Sequence, residues 1–193
     1  MAELGEKEYQ MYVDFLNQNK MQNAGLYLLV SAKLGYLKAQ AELGYKYLHG
    51  IMFPKNYDYA REWLGKAAEK GDLDSVVSLA TMYMYGYGTK TDGPKASELL
   101  QQAIQADYPA AGRFMGLCYE KGIGREKNAA KAAEWYLWAA DKGDAGAMYL
   151  LADCYENGTG IAKNKDEARK WYEACAMTDS EEAAMAKEAL SRL

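Results

Sequence analysis

The sequence predicts an all-α protein, an α-solenoid of antiparallel helix pairs in 36-residue repeats, with about 11 helices. Three observations predict it. Tyr47, Tyr83, Tyr119 and Tyr155 keep a step of 36 residues, and Gly50, Gly86, Gly122 and Gly158 keep the same step. Each unit carries small, large and small residues at spacings that fall on one face of a helix. Proline is scarce, at 3 residues, which suits long helical runs. A fixed period of this length is the signature of stacked repeats, so the chain reads as one repeat domain over residues 1–193.

The elements follow in chain order. Residues 1–36 read as an atypical N-terminal cap pair. Its second helix holds Ala24, Tyr27, Ser31, Ala32 and Gly35, one period before Ala60 to Gly71. Its first helix, near residues 5–19, fits if the connecting loop is about four residues shorter, with Phe15 in the tyrosine place. Four repeats follow, at 37–72, 73–108, 109–144 and 145–179. The first helix of each carries a Leu or Met and a small residue, as in Leu43-Gly44 and Met115-Gly116, then the periodic tyrosine. A small residue there lets two helix backbones approach, and an aromatic from the other helix fills the remaining gap. Burying one such ring stabilises by roughly 1.5–3 kcal/mol. The second helix carries Ala60, Trp63, Ala67 and Ala68, with Leu99, Trp135 and Trp171 continuing the tryptophan column. It ends at a left-handed position, Gly71 or Gly143, where Asp107 and Asp179 stand in the other repeats; those two corners are expected to differ. Residues 180–193 read as a polar C-terminal capping helix, with Ser180 or Asp179 as its N-cap.

Gly122-Ile123-Gly124 resembles a phosphate-binding loop. A nucleotide fingerprint follows a strand and occurs once. This one follows a helix and recurs at Gly86 and Gly88 and at Gly158 and Gly160, so it is punctuation. The first repeat has Met52 in place of the second glycine, which predicts a stiffer and more apolar loop.

Composition limits the function classes. Half the residues are hydrophobic, enough for a folded core. Net charge is −4 with no basic concentration, which argues against nucleic acid and anionic membrane surfaces as partners. No apolar stretch is long enough for membrane insertion and no secretory signal opens the chain, so a soluble cytoplasmic protein is expected. The three cysteines form no C-x-x-C pair, which favours reduced, buried thiols. Cys118 and Cys154 fall in one column. Equivalent places in neighbouring repeats should lie roughly 10 Å apart, beyond disulfide reach. Their counterparts Lys46 and Met82 predict a column only partly buried. The single histidine, His49, has ordinary helix-end counterparts in Tyr85, Lys121 and Asn157. The expected site inventory is therefore no catalytic constellation, no metal site and no cofactor.

The pattern Ala-x3-Leu-Gly-x2-Tyr-x2-Gly-x-Gly…Ala-x2-Trp-x3-Ala-Ala-x2-Gly, fullest between Ala111 and Gly143, resembles the Sel-one-like repeat, a cousin of the tetratricopeptide repeat. The likeness covers about residues 24–178. It implies a right-handed superhelix and an adaptor role, in which the array holds protein segments. One secreted branch of that family bridges its helices with paired cysteines; this chain lacks those pairs.

If first helices line the inside of the curve, the face opposite their core stripe meets the partner. The candidate binding residues there are Lys38, Tyr45 and Leu48, then Val77 and Met84, then Arg113, Leu117 and Glu120, and finally Tyr149, Asp153 and Glu156. These columns vary between repeats and hold large apolar residues that are costly to expose; the alternative is that some pack against a neighbouring repeat. A partner segment with an apolar and a basic portion would match. Trp138, opposite Lys66, Gln102 and Ala174, marks either a second contact or self-association surface, or a ring folded over the Tyr136 column. The function expected is a non-enzymatic scaffold binding a protein or peptide on its concave first-helix face. The alternatives are a bacterial immunity protein that neutralises a toxic effector by covering it, and a thiol-dependent enzyme or small-molecule sensor using Cys118 and Cys154.

Overall fold

A computed structural model describes residues 3–193. Eleven α-helices and no strand occur among them. They are α1 (Glu6–Asn17), α2 (Met21–Leu34), α3 (Leu37–His49), α4 (Tyr57–Glu69), α5 (Leu73–Tyr85) and α6 (Gly93–Gln105). Then come α7 (Pro109–Lys121), α8 (Ala129–Asp141), α9 (Ala145–Asn157), α10 (Lys165–Ala176) and α11 (Glu182–Arg192). The chain forms two compact units, Met1–Thr91 and Asp92–Leu193. In the first, α1 packs on α2, α2 on α3, α3 on α4 and α4 on α5; in the second, each helix from α6 to α11 likewise packs on its successor. This consecutive pairing makes the fold an α-solenoid. No helix among the described residues is long and apolar enough to cross a membrane.

Two columns build the interior. Ala60, Ala96 and Ala168 are fully buried and Ala132 nearly so. The large residues beside them are Leu64, Leu100, Tyr136 and Tyr172, all essentially without exposure. Trp63 is buried, but Trp135 and Trp171 are only half-buried, so the column after the tryptophans fills the centre. The small residues behave as the sequence requires, against a different partner: a Cβ added at Gly116 would come within 2.4 Å of the Tyr136 ring, and one at Gly44 within 2.7 Å of Leu64.

The start of each second helix is fixed by a column that reads as loop in the sequence. Asn56, Asp92, Asn128 and Asn164 are N-caps, each side chain accepting a backbone N–H from the first turn. The corners are held by left-handed residues. Asp107 adopts φ 59°, close to the glycine conformation it replaces, whereas Asp179 does not, so the two aspartate corners are unlike. The N-cap of α11 is Glu181, with no side-chain bond; neither Ser180 nor Asp179 takes that place.

The double-glycine loops are close-approach points. Gly160 lies against the first residue of α8, where an added Cβ would stand 2.1 Å from the Ala129 carbonyl oxygen. Met52, in the equivalent place, holds φ 68° without being glycine. The space it needs comes from Gly25 in α2, over which Met52 and Phe53 pack. The loop is accordingly more apolar, with Phe53 against Tyr47 at 5.0 Å between ring centroids.

Candidate functional site

The first helices of the repeats present their variable columns differently in the two units. In the first unit, α3 and α5 wall a cleft of about 340 Å³. Ala41, Tyr45 and Leu64 supply its apolar surface, and Glu42, Asp72, Asp74 and Ser78 its polar rim. Tyr45 is 48% exposed and leans on His49, with ring centroids 4.2 Å apart. Glu42 is anchored from below: the Tyr9 hydroxyl donates to it at 2.7 Å, the Tyr12 hydroxyl donates to its other oxygen, and Lys46 pairs with it at 3.3 Å. Burial, then the Glu42 carboxylate, pushes both tyrosine hydroxyls well above their ordinary range, so they stay protonated donors. Asp72 is the N-cap of α5, accepting from the Ser75 N–H at 2.8 Å. The acid rim is thus built from positioned groups.

Of the other predicted residues in this unit, Lys38 is exposed. Leu48, Val77 and Met84 are buried and cannot meet a partner directly. For these three the alternative of internal packing holds.

In the second unit, α7 and α9 carry the remaining candidates. Arg113 donates to Asp144 at 2.8 Å, and Asp144 also caps α9 through the Ala147 N–H at 2.7 Å. The guanidinium lies 4.6 Å from the Phe114 ring centroid, so its charge is held within the fold. Leu117 is half-buried. Glu120 is exposed and accepts the hydroxyl of buried Tyr136 at 2.5 Å. Glu156, half-buried, accepts that of Tyr172 at 2.9 Å. Tyr149 is half-buried against the Tyr172 ring, with centroids 5.4 Å apart. Asp153 accepts from the Asn157 amide at 3.0 Å. Glu120 and Glu156 therefore do structural work as partners of core tyrosines. The signal for this lay in the sequence: where the second helix has tyrosine, the first has glutamate, and Leu64 and Leu100 go instead with Leu48 and Met84.

Two further expectations sharpen. Trp138 is not a lone exposed ring but half-buried, packed against the core cluster that includes Tyr136. It covers Gly112 of α7, where an added Cβ would lie 2.4 Å from the indole, and it meets Trp135 edge-on at 5.8 Å. In the Cys118–Cys154 column both cysteines and Met82 are buried, and Lys46 alone is half-buried. Burial pushes both thiols up to about 11, and it raises Cys175 as well. A catalytic thiolate needs the opposite shift, which counts against a thiol-dependent enzyme.

Helix pairs with period-locked interiors and variable first-helix columns define a helical-repeat protein. The Sel1 repeat family model matches residues 37–72, 74–108, 109–144 and 145–177, and the chain belongs to that family. A sel1-like repeat-containing protein of Acanthamoeba polyphaga mimivirus is 32% identical over 82 residues, 42% of this chain and 15% of that protein. Among solved structures, a Sel1 repeat protein from Oxalobacter formigenes superposes with TM-score 0.83 at 26% identity, covering 98% of this chain and 78% of its own. A protective antigen of uropathogenic Escherichia coli with an SLR fold gives TM-score 0.79 at 25% identity, over 98% of this chain and 41% of that one. The chain thus spans only part of some longer relatives. Sel1 repeat proteins generally act as protein-interaction scaffolds, and the family is typically non-enzymatic.

Proposed function

We propose that this protein is a scaffold that captures a protein segment on the first-helix face, with the α3–α5 cleft as its principal contact. The observation that carries the reading is the cleft's chemistry: an exposed tyrosine and apolar wall rimmed by Glu42, Asp72 and Asp74. A large apolar side chain next to a lysine or arginine matches it. Aromatic anchors in partly desolvated pockets dominate such interfaces, and opposite charge sets orientation and on-rate. Lys38, Leu117, Tyr149 and Asp153 extend the same face within their own units; Arg113, Glu120 and Glu156 act there mainly by holding its shape.

A peptide array sampling apolar and basic residue pairs tests this. Peptides with a basic residue beside a large apolar one should bind, and binding should weaken as salt rises. Tyr45→Ala and Asp74→Lys should each lower affinity about tenfold or more, a loss of about 1.4 kcal/mol. Binders with no charge preference, or binding unchanged in both folded variants, would reject the cleft as the site.

A further inference from the structure

The second helices supply an internal control for one surface. At the register of Leu26 in α2, the later helices carry Glu62, Glu98, Glu134 and Lys170, all exposed. Val30 and Leu34 stand one period before Lys66 of α4 and Lys70, its C-cap. Leu26, Val30 and Leu34 recur every four residues and form one stripe, with Leu26 61% exposed. Further along lies a shallow depression of about 410 Å³ lined by Leu4, Leu34 and Leu37, with Glu3 and Lys70 on its rim.

We propose that α2 is a self-association surface, on which two copies of the chain pair antiparallel about a two-fold axis near Val30. Leu26 and Leu34 lie about 12 Å apart along the helix axis. An antiparallel pairing centred between them sets the protruding Leu26 of each copy over the leucine-lined depression of the other. A knob and its hollow at opposite ends of one stripe engage twice within a single interface under such a two-fold operation, where a head-to-tail contact would engage them once. Charge agrees, because α2 carries a single charged residue, Lys33, and pairing buries no cluster of like charges. A neighbouring repeat would not cover the Leu26 end of the stripe, since that register stays exposed in every later second helix, while the Val30 register is exposed at Gln102 and half-buried at Lys66, Trp138 and Ala174. An anionic lipid surface is disfavoured by Glu3, Glu6 and Glu8 at the start of the chain. One helix face with a leucine-lined hollow belongs to the small end of interfaces, so the dimer forms in the micromolar to sub-millimolar range.

Sedimentation and light scattering across that range test the pairing. The mass should rise from 21.5 kDa toward its double. Leu26→Glu with Val30→Lys, which installs the residues found one period later, should stay monomeric with unchanged helical circular dichroism. Val30→Cys should oxidise to a cross-linked dimer much faster than Gln102→Cys, the same register in α6. A chain that stays at monomer mass throughout, whether or not it adsorbs to lipid vesicles, overturns the proposal. So does a dimer that survives the double substitution, or equal cross-linking of the two cysteine variants.

Discussion

Tyr172 is buried to its hydroxyl, which donates to the half-exposed Glu156. Burial and that carboxylate raise its ionisation well above the ordinary value of 10.0. The folded state therefore holds this proton more tightly than the unfolded chain does. The resulting stability is complete below about pH 10 and is lost as pH rises beyond it. Alkaline titration should find most tyrosines ionising first, while Tyr9, Tyr12 and Tyr172 ionise only as helicity falls; early ionisation of all of them would contradict the structure. Tyr172→Phe should cost about 1–2 kcal/mol in urea unfolding at neutral pH, since the ring packing remains and one charge-assisted hydrogen bond goes. Two glycines of the second unit separate strain from crowding. Gly143 has φ 92° with open space around its Cβ position, and Gly160 has φ 75° against a carbonyl oxygen. Gly143→Ala should cost about 1–2 kcal/mol of backbone strain. Gly160→Ala adds an overlap that must move a helix start, so its loss should be clearly larger in the same measurement.

At the scale of an element, each second helix is defined by an Asn or Asp cap at its start and a buried alanine stripe along its length. Asn128→Ala should destabilise by about 1 kcal/mol, read from the urea midpoint, because α8 would lose the acceptor for the Lys131 N–H. The helices themselves were legible from spacing, since a buried stripe must recur near every 3.6 residues. The cap column was equally periodic, yet polar residues between helices read as loop. The face of a first helix was less legible. Tyr45 and Leu48 differ by three residues and share a face in projection, yet Leu48 is buried and Tyr45 half open. Which apolar residue of a variable column is covered depends on the neighbouring repeat, and a single helix pattern does not contain that neighbour. Gly112 with Trp138 is a readable exception, because a glycine unique to its column leaves room for a ring unique to its own.

For the molecule as a whole, the 36-residue period announced the architecture, because repeats stack through the same columns each time. The chemistry of the cleft was not announced, because its rim joins residues from two repeats and from the N-cap of α5. The three cysteines report on global integrity. All are buried with raised thiols, so an aromatic disulfide reagent should react slowly with the native protein and fully once urea unfolds it. Rapid native labelling of even one thiol would mean that its unit opens far more readily than its packing implies.

The first repeat also sets a rule of order. Its loop fits only because Met52 and Phe53 face Gly25, whereas one period later the same spot is Arg61, which donates to the Gly88 carbonyl at 2.8 Å. A tandem copy of residues 37–72 would press a phenylalanine onto an arginine. The modules look alike in alignment, but each carries a shape meant for the one before it, so shuffling them should fail at this junction unless the glycine travels along.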